Sequence, residues 1–132
     1  MLVREYTDTD LDTLLAMHCA QGFDYPFPDL RDPIFVSKLV LEDNAGKPVM
    51  AALARLTCEM YLLAAPKEGT PRERYTRLLE LHRAGANDLR ARGLDDAHAW
   101  LPPRIAQRFG RRLQQLGWIR DDAWTPYCKR LR

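Results

Sequence analysis

The sequence lacks long apolar runs, paired cysteines and low-complexity tracts, and each absence excludes a class of protein. No run reaches the roughly 18 apolar residues that a membrane-spanning helix needs. Residues 1–5 lack the apolar segment of a signal peptide. The cysteines, Cys19, Cys58 and Cys128, are odd in number and do not have metal-site spacing. We therefore expect a reduced, cytoplasmic protein without a membrane partner or a metal.

Composition and charge are those of one globular domain, which we expect to span residues 1–132. Hydrophobic residues make up 46% of the chain and charged residues 29%. The net charge of +2 hides an asymmetry, because residues 1–65 hold five basic and ten acidic residues, whereas residues 66–132 hold fifteen and eight. The basic half could face an anionic ligand. Since 16 of the 20 basic residues are arginine, a bias in the genome would explain the excess equally well.

Residues 59–101 predict a strand, a helix and a second strand, which together form a right-handed βαβ unit. The strands are residues 59–65 and 96–101, and the helix runs from Pro71 to Arg92. Thr70 and Glu73 have the spacing of a capping box, and Gly93 is placed to end the helix. One helical face is predicted to pack on the sheet. Its members are Tyr75, Leu78, Leu79, His82, Ala86 and Leu89.

The rest of the chain predicts strands and helices on either side of this unit. Residues 2–6 alternate as a strand, and the next helix presents Leu11, Leu14, Leu15 and His18 inward. His18 and Cys19 do not form a reactive pair, because neighbouring residues of a helix point about 100° apart. Between this helix and the βαβ unit we expect a short helix over 33–39, followed by strands through 40–41 and over 48–56 around a turn at 43–47. After the unit we expect a helix that follows Pro102-Pro103 and ends at Gly117, and then a hairpin of 118–120 with 123–131.

The loop of residues 22–30 is aromatic, acidic and stiffened by proline. Pro26 and Pro28 restrict the backbone on both sides of Phe27. Tyr25, Phe27 and Asp29 are candidate substrate residues, since aromatic rings beside a carboxylate suit an amine or another cation. The alternative is an ordinary lid over the core.

Glu59 is the candidate catalytic residue. It stands with Arg55 as a polar residue in an otherwise apolar region. If it were buried, its pKa would rise and it could act as a general base. A salt bridge or a surface position is the alternative, because unpaired buried charges are rare.

The order of these elements resembles the GNAT superfamily of N-acetyltransferases over essentially the whole chain. Three local features support the resemblance: the hairpin Leu-Glu-Asp-Asn-Ala-Gly-Lys-Pro-Val at 41–49, Arg-Gly-Leu at 92–94, and Leu-Gly-Trp at 116–118. It implies a GNAT-like α/β (α+β) fold, with a mixed sheet of six to seven strands splayed between residues 59–65 and 96–101 and helices on both faces. It also implies an acyltransferase that moves an acyl group from acetyl-CoA, or another acyl-CoA, to an amine. The implied cofactor-binding residues are Leu62, Ala64, Arg72, Arg74 and Arg77.

Two positions differ from the family pattern. The family binds pyrophosphate with a glycine-rich loop at a helix N-terminus, yet no glycine lies between Thr70 and Leu79. Anion binding would therefore depend on the arginine side chains. The family's general acid is a tyrosine four residues before the closing glycine, where this chain has Leu113.

Three functions consequently stay open at this stage. One is an acyltransferase in which arginines hold the cofactor, and another is a non-catalytic domain, without a cofactor, that binds a small molecule or a protein. The third is nucleic-acid binding through the arginines of residues 104–112. A net charge of only +2 and the absence of a recognised motif argue against that third function. The sequence leaves a homodimer open.

Overall fold

The computed structural model describes residues 1–132, which form three helices and five strands. The elements are β1 (Leu2–Glu5), a 3-10 turn (Asp8–Asp10), α1 (Leu11–Gln21), β2 (Phe35–Glu42), β3 (Pro48–Arg55), β4 (Cys58–Glu59), α2 (Pro71–Ala91), β5 (Ala97–His98) and α3 (Pro103–Gln115). The chain divides into two compact units. The first unit is Met1–Cys58 with Leu89–Ala97, and the second is Glu59–Asp88 with His98–Arg132.

The first unit contains an antiparallel sheet in the order β1-β2-β3. Arg4, Val40 and Ala51 lie opposite one another across its three strands. Val40 is fully buried, and the other buried apolar side chains are Leu14, Leu30 and Ile34. Because side chains on a strand alternate between the two faces, this register fixes which face of the sheet holds the core.

The β2–β3 turn has the geometry that its sequence predicts. The carboxylate of Asp43 accepts hydrogen bonds from the backbone N–H groups of Ala45 and Lys47, both at 2.9 Å. An aspartate that binds the backbone two residues later is a common way to stabilise a turn. The local sequence is sufficient to predict this turn, because all its hydrogen-bonding partners lie within five residues of one another.

The capping box of α2 is confirmed. The carboxylate of Glu73 accepts the N–H of Thr70 at 2.6 Å, and the hydroxyl of Thr70 accepts the N–H of Glu73 at 3.2 Å. At the other end, Gly93 has a φ of 81°, a conformation that favours glycine. Its N–H reaches the carbonyl of Arg90, and the N–H of Leu94 reaches that of Leu89. This pair of bonds is a Schellman motif, which ends the helix where the sequence predicts.

The second unit contains no fully buried residue, and half-buried side chains connect its helices. The indole N–H of Trp118 donates to Nε2 of His82 at 3.0 Å. The guanidinium of Arg112 lies over the ring of Tyr75, 4.4 Å from its centre. Leu79, predicted to face the sheet, is 38% exposed. The predicted inner face of α2 is therefore only partly correct.

The predicted six- to seven-stranded GNAT sheet is wrong. The chain has a three-stranded antiparallel sheet and a separate two-stranded parallel sheet, β4 with β5, which is too few strands. The predicted strands at 59–65 and 96–101 do pair in parallel, through the N–H of Met60 and the carbonyl of His98 at 2.7 Å. Of the first range only Glu59 belongs to a strand, β4, and of the second only Ala97 and His98. Tyr61 and Leu63 are exposed, so no burial holds the rest of the apolar run in a strand.

Two other predicted elements are also wrong. Residues 33–39 do not form a helix, because Phe35 already belongs to β2 and lies opposite Arg55 of β3. The pairing of β2 with β3 therefore outweighs the tendency of Pro33 to begin a helix. The closing hairpin of residues 118–131 is absent, since these residues form no regular structure. Pro126 lies within that segment and has no N–H to donate to a strand ladder.

Candidate functional site

Three aromatic rings surround His18 in the first unit. The ring centre of His18 lies 5.0 Å from that of Tyr25, 5.5 Å from that of Phe27 and 5.6 Å from that of Phe23. The rings of Phe23 and Tyr25 are stacked, with centres 5.1 Å apart. Such distances and angles are those of favourable aromatic pairs. We call His18, Phe23, Tyr25 and Phe27 the ring cluster.

The imidazole of His18 has an unsatisfied polar atom. Its Nε2 is shielded from solvent and has no hydrogen-bond partner. The large majority of buried polar side-chain atoms in proteins have a partner, because an unpaired buried group is costly. The ring cluster therefore contains one vacant hydrogen-bonding position inside an aromatic enclosure.

The backbone at both ends of the loop determines where the rings lie. Gly22 ends α1 with a φ of 71°, and its N–H bonds to the carbonyl of Cys19. This left-handed residue turns the chain back along the helix, so that the following rings reach His18 one turn earlier. At the far end, Leu30 is buried and its carbonyl accepts a hydrogen bond from Nζ of Lys38 at 2.9 Å. The loop is thus fastened to the helix at one end and to β2 at the other.

The part of the chain that contains the ring cluster carries an excess of acidic residues. Residues 1–32 contain seven aspartate or glutamate residues and two arginines. Burial raises the pKa of Tyr6, and the negative charges of Asp8, Asp10 and Asp29 raise it further. An excess of negative charge attracts cations and opposes anions.

A partly buried ion-pair network, centred on the buried Asp10, supports this part of the unit. Arg4 donates to both carboxylate oxygens of Asp10 at 2.7 Å and to Glu42 at 2.6 Å. These bonds, together with the backbone N–H of Thr7, hold the pKa of Asp10 well below its usual range. The sequence alone does not predict this network. The one indication of it in the sequence is the alternation of residues 2–6, which places Leu2, Arg4 and Tyr6 on one side of the strand. That alternation puts a charged residue on the face that packs on the core.

Asp29 does not face the ring cluster as an isolated charge. Its carboxylate accepts two hydrogen bonds from the guanidinium of Arg31, at 2.9 and 3.1 Å. Arg31 also lowers the pKa of Asp29. Of the three predicted substrate residues, the structure therefore brings Tyr25 and Phe27 together around His18, while Asp29 is engaged by a neighbour.

Glu59, the predicted general base, is exposed at the end of β4. The phenol of Tyr61 donates to its carboxylate, which raises the pKa of Tyr61. The general-base hypothesis required burial in order to raise the pKa of Glu59. Glu59 instead lies at the surface, which is the alternative that the sequence left open.

Of the five predicted cofactor residues, three are arginines in the first turns of α2, and two of these are engaged within the chain. Arg74 donates to the carbonyl of Pro66 at 2.8 Å, and Arg77 donates to that of Glu68 at 3.3 Å. Arg72 is exposed, and so are Leu62 and Ala64, which belong to no strand. The capping box occupies two backbone N–H groups that would otherwise attract a phosphate. Its hydrogen bonds also lower the pKa of Glu73 and favour the charged carboxylate at this helix end.

Comparison with known protein families, curated proteins and solved structures found no match for this chain. No group of three or more histidine, cysteine, aspartate or glutamate side chains is arranged to hold a metal ion. None of the helices combines the length and the apolar character that a membrane crossing requires. The functional interpretation therefore depends on the geometry of the chain itself.

Proposed function

We propose that the chain is a non-catalytic binding domain for small aromatic amines, with the ring cluster as its site. The observation behind this proposal is the buried Nε2 of His18, which has no partner although three aromatic rings surround it. A ligand that supplies the missing hydrogen bond would remove an energetic cost that the free protein bears.

The chemistry of the ligand follows from the groups that face it. Aromatic faces attract a cation and stack with a flat ring. The lone pair of a neutral imidazole nitrogen accepts a hydrogen bond from an ammonium group. The acidic excess of residues 1–32 favours a positive ligand over a negative one. An aromatic ring joined to an ammonium group by a short chain satisfies all three conditions.

Binding requires a movement of the loop, because the rings shield Nε2. Phe23 and Tyr25 lie at the surface of the cluster and are both exposed, so displacing them uncovers the imidazole. Each aromatic contact that is broken costs about 0.5–1.5 kcal/mol. We therefore expect weak binding to a simple amine, with a dissociation constant on the order of 1 mM.

Acyl transfer from acyl-CoA to an amine, and the resemblance to N-acetyltransferases, stay predictions. The exposed Glu59 and the capped N-terminus of α2 do not favour them. The proposed amine ligand is compatible with either function, since an amine is also the acceptor in such a reaction.

The test uses 2-phenylethylamine as the probe. Amide NMR spectra of the full chain are recorded during titration of the wild type, His18→Phe and His98→Phe. His18→Phe retains an aromatic ring but removes Nε2, whereas His98→Phe makes the same change at an exposed histidine stacked on Trp100. We expect shifts confined to residues 18–30 in the wild type and His98→Phe, and their loss in His18→Phe.

Equal shifts in all three proteins would show that the vacant nitrogen does not bind the amine. Shifts scattered over the whole chain would show that the ring cluster is not the site. Either result would contradict the proposal.

A further inference from the structure

Helix α3 presents a row of arginines that the ring cluster does not explain. Arg104, Arg108 and Arg111 follow the spacing i, i+4, i+7, which places them on one face of the helix. All three are exposed. They span about 10 Å along the helix at 1.5 Å per residue. We call these three residues the arginine stripe.

No residue of α3 can neutralise the stripe, because the helix contains no aspartate or glutamate. The opposite face holds Ile105, Phe109, Leu113 and Leu116, of which the last three are half-buried. The apolar side of α3 thus packs within the second unit, while the charged side faces solvent.

At least seven of the other arginines in the chain have structural partners. Arg4, Arg31, Arg55 and Arg120 pair with carboxylates. Arg74 and Arg77 bind carbonyl groups, and Arg112 lies over Tyr75. The arginines of the stripe differ from these because no carboxylate is available on their own helix. Their exposed positions leave the guanidinium groups open to an external anion.

The segment that follows α3 adds aromatic rings and further positive charge. Residues 116–132 contain four basic and two acidic residues. The acidic pair is engaged locally, since Asp122 accepts from Arg120 and Asp121 accepts from the N–H of Ala123. The ring of Tyr127 is 94% exposed, and Trp124 is also exposed.

We propose that α3 and residues 118–132 form a binding surface for single-stranded nucleic acid. Guanidinium groups bind phosphate oxygens through paired hydrogen bonds. Exposed aromatic rings are the feature on which unpaired bases stack, and Trp124 and Tyr127 are exposed in the segment that follows α3. A double helix would make less use of the rings, because its bases are already stacked. The low net charge of the whole chain does not oppose this surface, since residues 98–132, which include α3, hold eight basic and only two acidic residues.

The test measures fluorescence anisotropy of a labelled oligothymidine of about 20 nucleotides. Three phosphate contacts on a single strand predict a slope of roughly −2 for log K against log salt, or about a 20-fold loss of affinity between 50 and 200 mM salt. Changing Arg104, Arg108 and Arg111 together to Gln is expected to weaken binding at least about tenfold and to flatten the slope.

A matched control changes Lys47, Lys67 and Arg83 to Gln, which removes the same charge from exposed positions outside α3. It is expected to change affinity less than about threefold, since exposed charges that do not contact the bound strand are screened by salt. A further variant with lysine at the three stripe positions keeps the charge and the helix propensity. It should keep the salt slope and bind several-fold more weakly than arginine, because lysine cannot form the paired hydrogen bonds. Far-UV circular dichroism verifies that every variant is folded.

Three results would overturn the proposal: no oligothymidine binding by the wild type at 50 mM salt, equal losses in the stripe and control variants, or binding to phosphatidylserine vesicles without binding to oligothymidine. The last result would assign the surface to anionic lipid.

Discussion

The indole N–H of Trp118 donates a hydrogen bond to Nε2 of His82 at 3.0 Å and connects the segment just after α3 to the middle of α2. Both side chains are half-buried. Since the second unit has no fully buried side chain, a single directional bond between its two helices has more influence than it would in a dense core. It also occupies the Nε2 of His82, in contrast to the vacant Nε2 of His18.

Trp118→Phe is expected to lower the free energy of unfolding by about 0.5–1.5 kcal/mol, because it removes the donor and leaves Nε2 of His82 without its partner. Urea unfolding followed by circular dichroism measures the loss. Trp124→Phe is the control, since this indole is exposed. Equal losses in the two variants would show that the bond to His82 is not important.

Leu14→Ala is expected to lower the free energy of unfolding by about 2–5 kcal/mol, as is usual for a large-to-small change in a core. Leu14 is 3% exposed and packs among the buried residues of the first unit. The same change at Leu79, which is 38% exposed, should cost less than about 2 kcal/mol, because less apolar surface returns to water. Urea unfolding measures both losses, and a larger loss at Leu79 would contradict this assignment of the core.

The pairing of Asp10 with Arg4 predicts a dependence of stability on pH. Because the pKa of Asp10 is well below its usual range in the folded chain, its contribution is complete above the unfolded pKa of about 3.9 and is lost as the pH falls below it. Asp10→Asn should therefore be less stable than the wild type near neutral pH, and the difference should narrow between about pH 4 and pH 2. Urea unfolding at several pH values measures the difference.

Asp12→Asn provides the control for Asp10, since Asp12 is an exposed carboxylate in the first turn of α1, two residues later in the chain. It should change stability much less than Asp10→Asn at neutral pH. A gap between the wild type and Asp10→Asn that stays constant from pH 7 to pH 2 would be inconsistent with the ion pair.

The capped N-terminus of α2 predicts weak binding of acetyl-CoA, with a dissociation constant above about 100 μM. The carboxylate of Glu73 lies where a pyrophosphate would need free N–H groups. Calorimetric titration measures the affinity. Micromolar binding that is lost on Arg72→Ala with Arg74→Ala would contradict this expectation and favour an acyltransferase whose arginines hold the cofactor.

The sequence predicts those elements whose stabilising contacts are local. The β2–β3 turn depends on bonds from Asp43 to residues two and four positions later, and the start of α2 depends on bonds between Thr70 and Glu73. Residues 59–65 need a neighbouring strand over their whole length. Apolar composition alone cannot show whether that neighbouring strand is present. Here β4 is two residues long, and it ends at Glu59.

The ring cluster was predictable in part. The prolines beside Phe27 indicate a stiff loop that presents its rings, and the helical spacing places His18 on the inner face of α1. The sequence does not show that the loop folds back over that histidine, because the direction depends on the left-handed Gly22 and on the anchor at Leu30. The engagement of Asp29 by Arg31 depends on side-chain orientation, which residue spacing does not fix.

The most direct test of the central claim is the side-chain ¹⁵N chemical shift of Nε2 in His18, recorded with and without saturating 2-phenylethylamine. This atom is the one without a partner in the free protein, and the shift of an imidazole nitrogen responds to hydrogen bonding. A change at Nε2 of His18, with none at the Nε2 atoms of His82 and His98, is the result that amine binding at the ring cluster predicts. An unchanged Nε2 resonance of His18 at a concentration that shifts other residues would contradict it.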